Sequence, residues 1–235
     1  GSVPMLILGI ETATQQVGVS IGGHEGVIAT FEVARGRRHA EILTPAIDFV
    51  CRQADVEITE LGCIAVDIGP GLFTGMRVGL AAAKALAQAL KIPMIGISSL
   101  DLLAFPCRHT DRIVVPAIDA RKGEVFWAMY RQVPGGVQQV SAPTVGPVDD
   151  LVADLLARSQ EALCIGDGAA RYRDEILEGF HCEISGPVHP SPGALVQLAH
   201  AQALREEWVR PAEIEPIYLR QPDAQINWAT RESRP

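Results

Sequence analysis

The chain has 235 residues, and 20 lysines and arginines against 28 aspartates and glutamates give it a formal net charge of −8. Hydrophobic residues make up 48% and charged residues 20%, a composition that excludes a disordered, collagen-like or coiled-coil protein. The most apolar stretch, Val78–Leu90, is interrupted by Lys84 and Gln88. A membrane span needs about 20 apolar residues, so we expect no membrane segment. An acidic chain is also a poor binder of nucleic acid by itself, because phosphates need a basic surface.

The cysteines do not form a pattern typical of a disulfide framework or of a zinc site. Their number is odd, and no two of them have C-x-x-C spacing. They are Cys51, Cys63, Cys107, Cys164 and Cys182. The first residues resemble a cloning remnant before the initiator Met5, without the basic and apolar segments of a secretion signal. We therefore expect a reducing, cytoplasmic location.

The first half of the chain is predicted to contain three strands and then alternating helices and strands. Polar or glycine-rich turns separate the first three β-rich runs, which is typical of hairpins. The next segment has apolar residues at helical spacing and contains Pro45. The predicted elements are strands Leu6–Ile10, Val17–Ile21 and Val27–Val33, helix Arg38–Ala54, strand Cys63–Ile68, helix Thr74–Leu90, strand Met94–Ile97 and helix Ser98–Phe105.

The second half repeats this order of elements. The predicted elements are strands Ile113–Ile118, Glu124–Arg131 and Val137–Ser141, helix Val148–Ala157, strand Ala162–Ile165 and helices Ala169–Leu177 and Ala194–Trp208. A duplicated β-β-β-α-β-α unit is the plan of the actin, sugar-kinase and Hsp70 superfamily, which binds its ligand between the two halves. We therefore predict an α/β fold with subdomains 5–108 and 109–208. Residues 209–235 are rich in proline and charge, which predicts a loosely held, extended tail.

The strongest local signal is a glycine-rich loop between a strand and a helix. Gly69, Gly71 and Gly75 allow positive φ angles, and we expect at least one of them to have one. The N–H groups at the start of the helix could hold an anion. The loop is not a Walker loop, because no Gly-Lys-Ser/Thr follows. A tight strand–helix connection with Thr74 as the N-cap would have the same sequence, and the spacing does not decide between the two.

Acidic residues lie in turns at matching positions of the two halves. Glu11 and Thr12 follow the first strand, and Asp119 follows the strand that starts the second half. Paired acidic turns across a cleft are a common way for this superfamily to hold a magnesium nucleotide. Arg121 and Lys122 could instead neutralise Asp119, and Glu11 could belong to a solvated turn.

The remaining polar residues give no independent sign of catalysis. No two histidines have the i,i+4 spacing of a helical metal site, and there is no Gly-x-Ser-x-Gly nucleophile motif. The most basic stretch, residues 35–41, begins a helix, where positive charge opposes the helix dipole. It is either a solvated helix start or a partner surface.

The predicted helix 38–54 has more apolar surface than one buried face requires. One stripe contains Leu43, Ile47 and Val50, and a neighbouring stripe contains Ile42, Ala46 and Phe49. The first stripe is expected to pack on the sheet of its own chain. Alanines nearly encircle the helix after Thr74 and would let another helix approach closely. We expect these two helices to form an apolar interface, and the alternative is a helix pair wholly buried within one chain.

Blocks of sequence along the whole chain resemble the TsaB (YeaZ) family. They are Ile7–Thr14, Arg38–Ile47, Gly69–Gly79, Ala83–Ala87, Ile92–Leu100, Asp119–Phe126, Gly166–Ala169 and Ile217–Arg220. The family usually has Asp in place of Glu11 and Ser in place of Leu72, and both departures resemble the catalytic paralogue TsaD. TsaD is longer and has an Asn-His-x-x-x-His metal motif where this chain has Ser98–Leu103 without histidine. The resemblance therefore implies an actin-like scaffold with no catalytic residues and no metal.

The resemblance also implies a function and a set of partners. TsaB is a non-catalytic subunit of the machinery that makes N6-threonylcarbamoyladenosine next to the tRNA anticodon. It forms a homodimer when alone and a heterodimer with TsaD, TsaE joins a larger complex, and tRNA is bound only through the complex. No cofactor is implied beyond weak ATP or ADP binding at or near the partner interface. Vestigial nucleotide-binding residues would be Glu11, Thr12, Gly69, Gly71, Thr74, Gly75 and Asp119. Interface residues would be Arg38, His39, Ile42, Leu43, Ala46, Ile47 and Arg77.

Two enzymatic alternatives remain beside this interpretation. A small active ATPase or kinase of the same superfamily would bind magnesium nucleotide through Glu11, Asp119 and the glycine-rich loop. A protease is disfavoured, because the sequence shows neither an activated Ser or Cys nor a histidine pair for zinc.

Overall fold

The structure is a computed structural model that describes residues 4–36 and 38–220. The first-half elements are β1 (Leu6–Glu11), β2 (Gln16–Gly23), β3 (Gly26–Ala34), α1 (His39–Gln53), β4 (Leu61–Asp67), α2 (Phe73–Leu90), β5 (Met94–Ile97) and α3 (Ser99–Ala104). The second-half elements are β6 (Ile113–Arg121), β7 (Glu124–Val133), β8 (Gly136–Pro147), α4 (Val148–Arg158), β9 (Ala162–Ile165), α5 (Asp167–Arg171), α6 (Arg173–Gly179), β10 (Glu183–Ile184) and α7 (Pro192–Leu204). Short 3-10 turns cover Ile58–Glu60, Phe105–Cys107 and Pro211–Glu213.

The two sheets have the same strand order, which confirms the predicted duplication. The first is β3-β2-β1-β4-β5, and the second, written in the same direction, is β8-β7-β6-β9-β10. In each sheet the first three strands of the half pair antiparallel and the crossover strands pair parallel. Hairpins build the antiparallel side, and helical crossovers build the parallel side. This is the actin-like, sugar-kinase-like plan that the sequence predicts.

Helix α7 crosses from the second half and packs on the first sheet. Its buried Leu195 and Ala199 share a core cluster with Ile7 of β1 and Ile95 of β5. Helices α1 and α2 contact the other face of that sheet, where Leu43, Val50 and Leu80 are buried. The sheet is thus covered by helices on both faces. Helix α7 was predicted to belong to the second subdomain, 109–208, but it packs on the sheet of the first. Helix α7 ends at Leu204, four residues before the predicted Trp208.

The chain after α7 is packed against the molecule as far as the structure describes it. Val209 pairs with Met94 of β5, and Ile214 is 4% exposed in the core beside α2. The Ile217 N–H donates to the Ile68 carbonyl, and the Arg220 guanidinium donates to the Ala120 carbonyl at 2.6 Å. The expectation of a loosely held tail is therefore wrong for residues 209–220, because these contacts link the two halves. The remainder of the predicted tail, 221–235, lies outside the described residues.

No helix within the described ranges is both long and apolar enough to cross a membrane. The longest, α2, has 18 residues and includes Arg77 and Lys84.

Candidate functional site

The carboxylate of Glu11 is enclosed by the protein and does not face the cleft. Glu11 ends β1 and is 0% exposed. It accepts hydrogen bonds from the Ala13 N–H at 2.9 Å and from Gln16 Nε2 at 2.8 Å. Gln16 Nε2 also donates to the Pro190 carbonyl at 2.8 Å, in the segment that leads into α7. The Glu11 carboxylate thus ties the β1–β2 turn to a distant part of the chain, and it does not lie in a solvated turn.

Asp67 forms a buried pair with Glu11 that the sequence analysis did not identify. Parallel pairing of β1 and β4 sets Ile10 opposite Val66. Glu11 and Asp67, the next residues, therefore lie side by side at the ends of the two strands. Asp67 Oδ1 accepts from the Gly69 N–H at 2.8 Å and from the Ser99 hydroxyl at 2.7 Å. Among the described residues, its Oδ2 is buried without a conventional hydrogen-bond partner. A carboxylate at the end of a parallel strand beside β1 is the signal that could have predicted the pair.

Burial raises the pKa of both carboxyl groups. The loss of solvation raises the pKa of Glu11 well above its usual value, and the negative charge of Asp67 raises it further. The loss of solvation also raises the pKa of Asp67 to about 6, against the opposing hydrogen bonds from Gly69 and Ser99. Burial therefore favours the protonated form of each carboxyl group over its charged form.

The neighbouring threonine and histidine side chains fasten the same turn to α1 and α2. The Thr12 hydroxyl donates to the Gly75 carbonyl at 2.7 Å and accepts from the Gly79 N–H at 3.1 Å. The ring of His39 is buried and pairs through Nε2 with the Thr14 carbonyl at 2.8 Å. These partners leave Thr12 and His39 in structural roles, and His39 does not belong to an exposed partner surface.

The glycine-rich loop is a close-packed connector. Gly69 has φ +94°, which confirms the expectation that one of the three glycines has a positive φ. A Cβ on Gly71 would lie 2.2 Å from the Ala13 carbonyl oxygen, so the loop contacts the β1–β2 turn too closely for any larger residue. Helix α2 begins at Phe73 with Leu72 as its N-cap and without a side-chain cap. Thr74 is therefore not the N-cap and lies exposed in the first turn of the helix.

Asp119 lies at the end of β6, in a network with the loop after β9. Its backbone N–H donates to Asp167 Oδ1 at 2.8 Å, and its side chain lies 3.5 Å from the Arg171 guanidinium. Its Oδ1 accepts a hydrogen bond from the Arg121 backbone N–H at 3.0 Å. The guanidinium that pairs with the Asp119 carboxylate is that of Arg171. Burial raises the pKa of Asp167 to about 6. The Gly166-Asp167-Gly168 motif after β9 is the sequence signal for this partner.

The residues at the cleft do not fit the magnesium nucleotide that the fold class implies. The oxygens of Glu11 are occupied, and nowhere in 4–36 and 38–220 do three or more His, Cys, Asp or Glu side chains form a group able to hold a metal ion. The cavity between the halves is about 150 Å³, and its lining includes residues 217–220 of the chain itself. Twelve residues line it: Pro70, Gly71, Leu72, Phe73, Ala120, Arg121, Lys122, Phe126, Ile217, Tyr218, Leu219 and Arg220. In the described part of the chain, the Glu11 carboxylate is therefore engaged in the fold and does not line this cavity.

A larger groove separates the outer surfaces of α1 and α2. Its volume is about 720 Å³. It is lined by Thr44, Ile47, Asp48, Cys51, Arg52, Asp55, Val56, Glu57, Ile58, Ala82, Ala85, Leu86 and Ala89. The floor is mostly apolar, and Asp55 and Glu57 lie in the segment that follows α1. We call these thirteen residues the α1–α2 groove.

The structure separates the predicted interface residues into three groups. His39, Leu43 and Ala46 are buried inside the chain, and the inward stripe of α1 is Leu43, Ala46 and Val50. Ile42 and Ile47 are half-buried against the core, and Ile47 also lines the α1–α2 groove. Arg38 and Arg77 are exposed, Arg38 in an ion pair with Glu41 at 2.8 Å and Arg77 over the Phe73 ring. One residue of each predicted stripe was therefore assigned wrongly. Ala46 faces the sheet, and Ile47, which was expected there, is half-buried at the groove.

Comparisons with known proteins agree with this architecture. Residues 27–228 match the family model described as TsaD: tRNA N6-adenosine threonylcarbamoyltransferase. The chain is 30% identical to the tRNA threonylcarbamoyladenosine biosynthesis protein TsaB of Escherichia coli, over 92% of this chain and 95% of the relative. It is 35% identical to the uncharacterized protein ML0378 of Mycobacterium leprae, over 97% of this chain but 58% of that protein.

The structural comparison leads to the same family. A crystal structure from Pseudomonas aeruginosa, of an uncharacterized protein with similarity to peptidase YeaZ, superposes with a TM-score of 0.79 at 26% identity. The match covers 92% of this chain and all of the other. The chain shares the duplicated fold of a YeaZ-like protein and 30% identity with a TsaB protein over 95% of its length, and it matches a TsaD family model. The chain therefore belongs to the TsaB (YeaZ) family.

Proposed function

We propose that this chain is the non-catalytic subunit that pairs with TsaD for N6-threonylcarbamoyladenosine formation next to the tRNA anticodon. The relative from E. coli is named as a tRNA threonylcarbamoyladenosine biosynthesis protein, which supports the pathway. Under this proposal TsaE joins a larger assembly in the cytoplasm, tRNA binds in that assembly, and the isolated chain forms a homodimer.

One observation supports the non-catalytic role above all others. The residues that would hold a magnesium nucleotide in the first half are engaged in the fold: Glu11 with Ala13 and Gln16, and Thr12 with Gly75 and Gly79. Residues 98–103 contain no histidine, and Ser98 and Ser99 make internal hydrogen bonds there. These side chains stabilise the fold through internal hydrogen bonds, which supports a scaffold role.

The α1–α2 groove is the surface that we assign to the partner. Ala85 and Ala89 are exposed beside the half-buried Ala82 and Leu86, so a partner helix could approach the α2 backbone closely. The groove also contains the Asp48–Arg52 ion pair at 2.6 Å. A stable protein interface buries about 1,200–2,000 Å² in total, and this face of two adjacent helices is long enough to supply its share. TsaD and a second copy of this chain would compete for the groove.

The test places a charge on the groove without touching the core. Ala85→Glu adds a carboxylate to an exposed position of the groove, and Ala153→Glu adds the same charge to an exposed position of α4 in the second half. We expect Ala85→Glu to lose co-purification with TsaD and to elute as a monomer, because an unpaired charge is costly in a desolvated interface. The Ala153→Glu variant should behave like the wild type in both assays.

Two results would contradict the proposal. One is a folded Ala85→Glu protein that still binds TsaD and still dimerises. The other is ATP turnover by the purified isolated chain that disappears with Asp119→Ala, which would favour the ATPase alternative.

A further inference from the structure

Two cysteines that lie 18 positions apart in the sequence meet in the second half of the molecule. All five cysteines of the chain fall in the described ranges, and all are free thiols. The Sγ atoms of Cys164 and Cys182 are 3.8 Å apart, within hydrogen-bond distance for sulfur. Their sequence spacing does not indicate this pair, because the chain returns to β9 only after α5 and α6.

Strand pairing explains why the two sulfur atoms face each other. In the parallel pair of β9 and β10, Cys164 is opposite Ile184 and Leu163 is opposite Glu183. Side chains alternate along an extended chain, so Cys182, two residues before Ile184, faces the same side as Cys164. Cys182 precedes the two-residue strand β10, so it lies outside the paired positions and can shift with little disruption of the sheet.

The environments of the two thiols differ. Cys164 is 0% exposed in the core of the second half, whereas Cys182 is half-buried at the edge of that core. The hydrogen bond from the Cys164 thiol lowers the pKa of Cys182, and the charge of Arg173 lowers it further, against the effect of burial. The same hydrogen bond, together with burial, raises the pKa of Cys164. Cys182 is therefore the member of the pair that reacts as a thiolate with a small molecule from solution.

The other three cysteines have the opposite setting. Cys51 and Cys63 are buried, and Cys107 is half-buried like Cys182. Burial raises the pKa of all three thiols, that of Cys63 to about 12. Cys107 is thus the natural control for Cys182, because its exposure is similar but its thiol is not activated.

We propose that Cys182 and Cys164 are a modification site for hydrogen peroxide, in which Cys182 is oxidised first and Cys164 then closes an intramolecular disulfide. In the first step the Cys182 thiolate attacks one oxygen of the peroxide, the O–O bond breaks, and the released hydroxide takes up a proton to form water. In the second step the Cys164 sulfur attacks the sulfenic acid on Cys182 and the S–S bond forms. The Cys164 thiol proton leaves with the sulfenic hydroxyl group as a second water. The two thiols together give up two electrons to the peroxide.

The closure needs only a local movement. The sulfur atoms must approach by about 1.8 Å to reach the S–S bond length of about 2.05 Å. The bond would enclose residues 165–181, which include Asp167 and Arg171, the partners of Asp119. Disulfides in a reducing compartment are usually transient, which suits a reversible modification. This inference does not rest on the proposed function.

The test treats the full reduced chain with hydrogen peroxide, counts free thiols in denaturant and maps the peptides by mass spectrometry. We expect the wild type to lose two of its five thiols and about 2 Da as Cys164 and Cys182 join, and to regain both thiols with dithiothreitol. Cys164→Ala should leave Cys182 as a sulfenic acid that dimedone traps. Cys182→Ser should slow the oxidation at least about tenfold, whereas the control Cys107→Ser should react like the wild type.

Other results would overturn the proposal. Oxidation of Cys107 as fast as that of Cys182 would mean that exposure alone decides reactivity. A sulfinic acid on Cys182 without a disulfide, or a disulfide between two molecules, would show that Cys164 does not complete the reaction. Five intact thiols, in a mixture where the peroxide has oxidised added glutathione, would show that the pair is inert. The peptide map of the wild type decides the matter even if circular dichroism shows that Cys164→Ala does not fold.

Discussion

At the scale of single residues, the Glu11–Asp67 pair shows how two carboxylates at strand ends become part of the fold. Each carboxylate ends a central parallel strand, where ligands of open α/β sheets commonly bind. Here both are buried, and their hydrogen bonds go to Ala13, Gln16, Gly69 and Ser99. Burying a carboxylate is costly unless it is paired or protonated, so the pair makes the stability of the fold depend on pH.

The first prediction concerns that pH dependence. The folded-state pKa of Asp67, about 6, is above its ordinary value near 3.8. The resulting contribution to the unfolding free energy is fully present below pH ~4 and is lost as the pH rises through 6. Asp67→Asn removes this titration. Between pH 4.5 and 8, we expect the urea-unfolding free energy of both proteins to change. That of the wild type should fall further than that of Asp67→Asn, by on the order of 2 kcal/mol. Parallel pH profiles for the two proteins would contradict a raised pKa of Asp67 in the folded state.

At the scale of secondary-structure elements, the rotation of α1 decides which of its residues can meet a partner. Leu43, Ala46 and Val50 face the sheet and are at most 2% exposed, while Ile47 and Phe49 face outward. Phe49 is 45% exposed and contacts Phe31 of β3 edge-to-face, with ring centroids 6.1 Å apart. The apolar surface of α1 is therefore divided between the core and the outer face, and only the outer part is available for an interface.

The second prediction distinguishes these two faces. Ala46→Glu puts a carboxylate into the core beneath α1 and should lower the unfolding free energy by several kcal/mol, enough to prevent folding at 37 °C. Ala85→Glu, on the outer face of the helix pair, should change it by less than about 0.5 kcal/mol. Thermal denaturation followed by circular dichroism measures both. A cooperative, wild-type-like transition for Ala46→Glu would show that this position faces outward.

At the scale of the whole molecule, the halves are joined by two returning segments. Helix α7 packs on the first sheet, and residues 209–220 run from β5 across the cleft to β6 and β7. The His189 ring adds a contact to the Thr14 hydroxyl at 3.1 Å. With these links, residues 217–220 form part of the lining of the cavity between the halves.

The third prediction tests the docking of the C-terminal segment. Ile214 is 4% exposed in the core, so Ile214→Ala should lower the unfolding free energy by about 2–4 kcal/mol. The neighbouring Glu215 is exposed, and Glu215→Ala should change it by less than about 0.5 kcal/mol. Chemical denaturation measures both values. Equal stability of the two variants would mean that the segment is not docked in solution.

The amino-acid sequence by itself determined the order of strands and helices, the duplication and the family. These features depend on local signals: alternating or continuous apolar runs, turn residues, and motifs such as Gly69–Gly79. Only the tertiary structure decided that Glu11 is buried, that Ala46 faces the sheet and that residues 209–220 contact both halves. Each of these depends on residues distant in sequence, such as Pro190 with Gln16, or Arg220 with Ala120. Burial and hydrogen-bond partners arise from packing between elements, and no local pattern contains that information.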